Sequence, residues 1–304
     1  MSSNSLPIRA NNRLSARRNW WGYCFIAPAI LGIMILNVYP IVFSLITSLH
    51  EWDVITPMKS IGLDNYKRMF SDELIGVSLS VTLRYTMMAV PLINITALFI
   101  ALILNQDIRG RSVFRTICYI PSIVPAVANA ALWMYIFNPM YGAANEVMKL
   151  LGLARQNWIY DKNLVLPCMA IVAAWGCGNT AIIYLAGLQG VPRHLYEAVE
   201  IDGGGAASKF LHITLPMLSP VIFYNIVTGV IGSMQTFTQG YIMTSGGPQN
   251  ASLFYVLLLY RRAFKNMNMG YACAMAWLLF IIISALTLFN FVVSRKWVYA
   301  EGEV

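Results

Sequence analysis

The chain alternates between long apolar runs and short polar interruptions, and this pattern sets most of its architecture. A membrane-crossing helix needs about 20 mostly apolar residues. Six stretches qualify, at roughly 20–48, 79–104, 116–137, 164–188, 217–242 and 270–293. The alternation of barrel strands is missing, and in lipid each backbone amide must be satisfied within protein, so the runs predict helices. Pro28, Pro40, Pro91, Pro121, Pro125 and Pro167 lie within or at the ends of these runs and predict kinks or helix starts. One polar island, YEAVEIDGGGAASKFLHITLP from Tyr196 to Pro216, separates the fourth run from the fifth.

Composition strengthens the membrane reading. Hydrophobic residues make up 58% of the 304 residues and charged residues 11%, against roughly a quarter charged in soluble domains. A water-soluble fold would have too little polar surface to cover itself. The net charge of +8 would suggest nucleic acid in a soluble protein. Here the basic residues sit in short loops and tails, which points to membrane topology and to no nucleic-acid partner. With the N-terminus inside, Arg9, Arg13, Arg17, Arg18, Arg109, Arg111, Arg115, Arg193, Lys209, Arg295 and Lys296 fall on the inner side. The excess over the outer side is modest, and strongest beside the first run and in the loop 105–115. Both termini and the island then face the cytoplasm. Trp20, Trp21, Tyr135, Trp297 and Tyr299, near span ends, suit an interfacial belt. The first run is too long for the apolar segment of a cleaved leader, so a retained span is expected, with the leader as the alternative. The outer segments 49–78, 138–163 and 243–269 have room for short surface helices.

The search for reaction chemistry excludes more than it finds. All 13 acidic residues lie outside the expected spans, which disfavours a proton-coupled carrier. Arg84 is the one strong charge within a span; it reads either as an arginine snorkelling to the outer interface or as a pore-lining charge. The five cysteines fall within apolar runs and imply no disulfide framework, and the three histidines are dispersed, so no metal site and no catalytic residue is expected. The glycines 203–205 do not open a phosphate loop, because Ser208 and Lys209 follow in the wrong order and spacing.

The island reads as two short helices. Pro192 suits a first turn, residues 193–201 form one helix, and Asp202 with the glycines ends it. Ala206 to Leu211 form a second, and Pro216 and Pro220 mark entry into the next span. Leu195, Val199 and Ile201 offer apolar contacts, and Glu197, Glu200 and Asp202 offer charge. A plain solvated loop does not need such density of starts, stops and small residues, so the island reads as a docking knob for a cytoplasmic partner.

These residues resemble the EAA loop of binding-protein-dependent ABC importer permeases, whose pattern is E-A-A, three residues, G, nine residues, I-x-L-P. Glu197, Ala198, Gly203, Ile213, Leu215 and Pro216 stand in register, Asp202 and Phe210 occupy further favoured positions, and Val199 replaces the second alanine. Phe25-Ile26-Ala27-Pro28, Val38-Tyr39-Pro40, Asn65-Tyr66, Pro121, Pro125, Gly246-Gly247-Pro248, Ala263-Phe264 and Gly270-Tyr271-Ala272 extend the likeness to the sugar-importer branch, in particular the first permease of the maltose and glycerol-3-phosphate type.

The resemblance implies an all-α integral membrane protein with six transmembrane helices and the type I ABC importer fold. Its parts would be a cytoplasmic tail 1–19, a first helix 20–48, a permease core 76–293 with the EAA loop 192–216, and a cytoplasmic tail 294–304. It implies a non-catalytic subunit in a bacterial or archaeal plasma membrane. Its partners would be a second homologous permease, two copies of a cytoplasmic ATPase that binds ATP and Mg, and an extracytoplasmic solute-binding protein. No cofactor is implied in this chain. Glu197, Ala198, Val199, Asp202, Gly203, Ile213, Leu215 and Pro216 would couple to the ATPase. Aligned through the family's motifs, the substrate pathway would take in Ser122, Ala126, Trp175, Gly176, Asn179, Gly232, Ser233 and Thr236. The competing reading of these last residues is helix–helix packing, where small and polar residues are common. The expected cargo is a carbohydrate; a non-sugar solute such as glycerol-3-phosphate, or a carrier acting alone, are the alternatives.

Overall fold

The computed structural model describes residues 12–107 and 109–299. Tail residues 1–11 and 300–304, with Arg9, lie outside the described residues. Three helical stretches are long and apolar enough to cross a membrane, Tyr23–Ser48, Glu73–Asn105 and Met269–Ser294. Three bent pairs bring the number of candidate spans to six: Arg111–Ile123 with Ala126–Ile136, Val165–Trp175 with Gly178–Gly190, and Ala206–Met217 with Ser219–Met234, bent by 98°, 52° and 62°.

The first span is α1 (Asn12–Ile33) and α2 (Tyr39–Ser48), joined by a π-turn over Met34–Val38 with Pro40 in the first turn of α2. A two-residue hairpin, β1 (His50–Glu51) and β2 (Lys59–Ser60), follows and leads into α3 (Asp64–Ser71). The long α4 (Glu73–Asn105) starts behind Asp72, whose carboxylate accepts from the Leu74 amide at 3.1 Å as an N-cap. Then come α5 (Arg111–Ile123), α6 (Ala126–Ile136), the short α7 (Ala143–Leu150), α8 (Val165–Trp175) and α9 (Gly178–Gly190). The island holds α10 (Arg193–Ile201), α11 (Ala206–Lys209), a π-turn over Phe210–Thr214 and α12 (Leu215–Met217). The chain closes with α13 (Ser219–Met234), α14 (Tyr255–Tyr260) and α15 (Met269–Ser294).

Helix α4 is the central post, packed along α8 and α9 on one side and α13 on the other. Its fully buried contacts are small, Ala89, Ala97 and Ala101, which lets backbones approach where lipid supplies no hydrophobic drive between helices. Gly229 of α13 faces the same helix, where a Cβ would be in ordinary contact with Val90 at 3.4 Å. Helix α15 runs against α2, where the Trp277 indole donates to Ser44 Oγ at 3.2 Å.

The end opposite the island is tied by polar contacts. Buried Asn65 donates to the carbonyls of Ser48 and His50 at 2.9 and 3.0 Å. The Met269 amide donates to Trp52 O at 2.9 Å, and Gly270 leaves room for His50 O where a side chain would sit. Asp72 accepts from Arg262 Nη2 at 2.8 Å and from the Tyr271 hydroxyl at 3.0 Å, and the Arg68 guanidinium lies 4.8 Å over the Tyr271 ring. One carboxylate thus joins the start of α4, the segment after α14, and α15.

Three span outlines differ from the sequence reading. The third run is two helices broken at Val124–Pro125, because the residue before a proline is pushed out of helical geometry. The fourth is broken at Gly176–Cys177 with no proline in the gap. The fifth stops at Met234 rather than 242, and the chain turns helical again from Thr238 into a π-turn over Gly240–Thr244.

Asp72→Ala removes the cap and leaves the mostly buried Arg262 without its counter-ion. The expected loss is about 2–4 kcal/mol, read as a lowered unfolding temperature in detergent; a change within error would show that the other end contacts suffice without it.

Candidate functional site

Two places in the fold carry polar groups that packing alone does not explain. One is the middle of the helix bundle. Irregular backbone inside a membrane is tolerated where it is buried in protein or lines a cavity, and the three breaks gather there. Gly178, just after the break in the fourth span, packs against the end of α5: a Cβ would lie 2.9 Å from both Cys118 O and Ser122 Oγ. Trp175, just before the same break, meets Trp133 of α6 edge-on at 5.8 Å. Beyond the third break, Gln239 accepts from the Tyr85 hydroxyl of α4 at 3.1 Å.

Between α4, α9 and α13 lies a cavity of ≈ 300 Å³, lined by Tyr85, Asn94, Thr180, Asn225, Ser233 and Thr236 among others. The Tyr184 hydroxyl donates to Asn94 Oδ1 at 2.6 Å, and Asn94 Nδ2 donates to Val90 O at 2.8 Å. Asn225 Nδ2 is buried with no protein partner, as are Asn129 Oδ1 and Trp133 Nε1 of α6. Such atoms are costly to leave unpaired in a membrane interior. Every cavity-lining side chain is uncharged.

The aligned residues flank the breaks but fall into two groups. Gly232, Ser233 and Thr236 line the cavity. Ser122, Ala126, Trp175, Gly176 and Asn179 do not; Ala126 and Asn179 are exposed on the chain's own surface, while Ser122 bonds back to Tyr119 O at 2.7 Å. Tyr85, Asn94, Thr180, Asn225 and Gln239 were missed. Lone amides and hydroxyls within apolar runs are the sequence signal these residues carry. Arg84 stands outside the cavity, exposed, with no acidic partner among the described residues. At ~1.5 Å per residue it lies about 31 Å from Asn105, roughly the thickness of the hydrocarbon layer. This separation fits the snorkelling reading of the two given above.

The second place is the island, which forms a helical hairpin. Pro192 stands at the N-cap position, one residue ahead of the helix. Asp202 follows the last turn of α10 and Gly203 takes φ +77°, a left-handed value that favours glycine. The Gly203 amide donates to Glu200 O at 3.0 Å and the Gly204 amide to Val199 O at 2.8 Å. This pair of bonds is a Schellman stop. Glu197, Ala198, Asp202 and Gly203 are exposed; Val199, Ile213 and Pro216 are half-buried; Leu215 is exposed on the margin of half-burial. Of the three residues expected to offer apolar contacts, Leu195 and Val199 are half-buried and Ile201 is 87% exposed. That second arm runs to Met217 rather than Leu211, since the π-turn carries the helix on through Pro216.

The hairpin is fixed to the base of α13. Ser219 Oγ donates to Pro216 O at 2.6 Å and accepts from the Tyr299 amide at 2.8 Å. Phe223 meets Phe291 at 4.9 Å and Trp297 at 6.5 Å. The end of α15 therefore lies beside the hairpin.

A family model described as "Binding-protein-dependent transport system inner membrane component" matches residues 65–298. The chain is 38% identical to the probable ABC transporter permease protein YesP of Bacillus subtilis (strain 168), over 100% of this chain and 99% of that protein. It is 32% identical to the trehalose/maltose transport system permease protein MalF of Thermococcus litoralis, over 93% and 97% of the two chains. Its fold matches a chain of a bacterial alginate ABC transporter, crystallised in complex with an alginate pentasaccharide-bound periplasmic protein. The TM-score is 0.80 at 20% identity, covering 93% of this chain and 96% of that one.

Val199 and Gly204 are fitted to each other. A Cβ on Gly204 would lie 2.5 Å from Val199 Cγ1, 3.0 Å from Val199 O and 3.2 Å from Ser208 Oγ, so both the valine side chain and the backbone behind it call for a glycine opposite. Gly204→Ala should cost about 1–3 kcal/mol from overpacking. Adding Val199→Ala should recover the side-chain share of it and leave the share due to the carbonyl, with a coupling of about 1 kcal/mol in a double-mutant cycle of thermal stability. Additive effects would mean that the two sites do not share their space.

Proposed function

Because the chain belongs to the family of binding-protein-dependent transport system inner membrane components, we propose that it is the permease subunit of an ATP-driven carbohydrate importer and forms half of the translocation pathway. The observation that carries this is one continuous helix. Helix α13 begins at the hairpin, and its other end supplies Gly232 and Ser233 to the cavity. Its 16 residues make a rod of about 24 Å. A push on the hairpin crosses the 62° bend at Leu218, which the Ser219–Pro216 hydrogen bond braces, and then travels along this rod to the pathway.

In this reading the exposed face of α10, with Glu197, Ala198, Ile201 and Asp202, docks on a cytoplasmic ATPase that binds ATP and Mg and does the hydrolysis. Two such permeases, two ATPases and an extracytoplasmic solute-binding protein make the complex. The hairpin and both termini face the cytoplasm. Closure of the ATPase pair moves the hairpins, and the spans exchange between two packings.

The cavity supports a hydroxyl-rich cargo. Tyr, Thr, Ser and Asn side chains both donate and accept, and the unpaired Asn225 amide offers a further donor. A phosphate-bearing solute would meet no cation among the lining residues described here. The volume is at the small end of ligand sites, which suits one sugar unit at a time. The trehalose/maltose relative and the alginate transporter both act on saccharides by their names.

The test is reconstitution of the chain with its second permease, ATPase and solute-binding protein in vesicles. Saccharide uptake should require ATP, and Ser233→Leu, which fills the cavity, should lower uptake by about tenfold while the complex still assembles and hydrolyses ATP. Uphill uptake by this chain alone would contradict the assignment.

A further inference from the structure

Two side-chain contacts tie the arms of the hairpin together, one part-buried and one with its Glu200 side exposed. Tyr196 and Glu200 are one turn apart on α10, so they stack on one side of it. The Tyr196 hydroxyl lies 3.1 Å from Thr214 Oγ1, and Glu200 accepts from Lys209 Nζ. Thr214 is 5% exposed, and its hydroxyl donates to Lys209 O at 3.3 Å, which leaves Tyr196 as the donor in the first contact.

The spacing of the lower partners explains the π-turn. In an α-helix a residue five positions on lies about 140° around the axis, so Lys209 and Thr214 would face apart. The turn over Phe210–Thr214 closes with the Leu215 amide on Phe210 O, an i→i+5 bond that returns the fifth residue to nearly the same face. Both partners then meet α10.

We infer that Tyr196, Thr214 and the Glu200–Lys209 pair are positioning residues: they fix the angle of α10 to the arm that feeds α13, and so set how much of a push on the hairpin reaches the cavity. This rests on the hairpin being the coupling element. The ion pair is largely exposed on its Glu200 side and is screened by water, so the part-buried hydroxyl contact carries the larger share.

The measurement is solute imported per ATP hydrolysed in the reconstituted complex. Tyr196→Phe and Thr214→Val should each lower this ratio about fivefold, the effect of losing one ordinary hydrogen bond, with complex yield and ATPase rate near wild type. Thr214→Ser should keep the wild-type ratio, and the Tyr196→Phe/Thr214→Val double variant should be no worse than either single one. If Thr214→Val fails to assemble, Tyr196→Phe, which removes one oxygen, decides alone. Assembled variants with a wild-type ratio would overturn the positioning role while leaving the coupling assignment intact. A wild-type chain that recruits no ATPase would overturn both.

Discussion

The backbone of a membrane helix has no water to turn to, so every interruption of the helix must be repaid by protein contacts or by a polar cavity. The rest of this structure depends on that constraint. The chain interrupts three of its spans, at Val124–Pro125, at Gly176–Cys177 and after Met234. It places the interruptions where α4, α5, α6, α8, α9 and α13 converge. The unpaired polar atoms of Asn129, Trp133 and Asn225 are in the same region. A fold selected for packing alone would have filled it with straight apolar helices.

The opposite constraint governs the ends. Around Asp72, Asn65 and Gly270 the helices are locked by hydrogen bonds, an ion pair and a close backbone approach. At the other end, the hairpin is capped by a Schellman stop and joined to α13 and the end of α15. Rigid ends around a polar centre allow a displacement to be carried rather than absorbed. This combination fits the transmembrane permease subunit of a transport system.

Much of this was legible in the sequence, for physical reasons. Six apolar runs gave the spans, and Pro192 and the glycines bracketed α10 at its observed bounds, Arg193–Ile201. Pro125 marked one break. The break after Trp175 left no local signal, because it depends on Gly178 fitting against Cys118 and Ser122 of another span. The cavity was only half visible: Ser233 and Thr236 came from alignment, while Tyr85, Asn94 and Thr180 come from other helices that tertiary packing brings in. The length of the second hairpin arm was missed because a π-turn has no residue signature like that of a glycine stop.

The claim that hairpin and α13 move as one body is open to direct measurement. Spin labels at the exposed positions Ile201 and Tyr224, in a chain whose native cysteines are replaced, report the distance across the joint by double electron–electron resonance. That distance should stay constant between nucleotide-free and ATP-bound complexes, while the distance from Ile201 to its counterpart on the second permease shortens. A change of several ångströms between Ile201 and Tyr224 during the cycle would show a flexible joint and contradict transmission through α13.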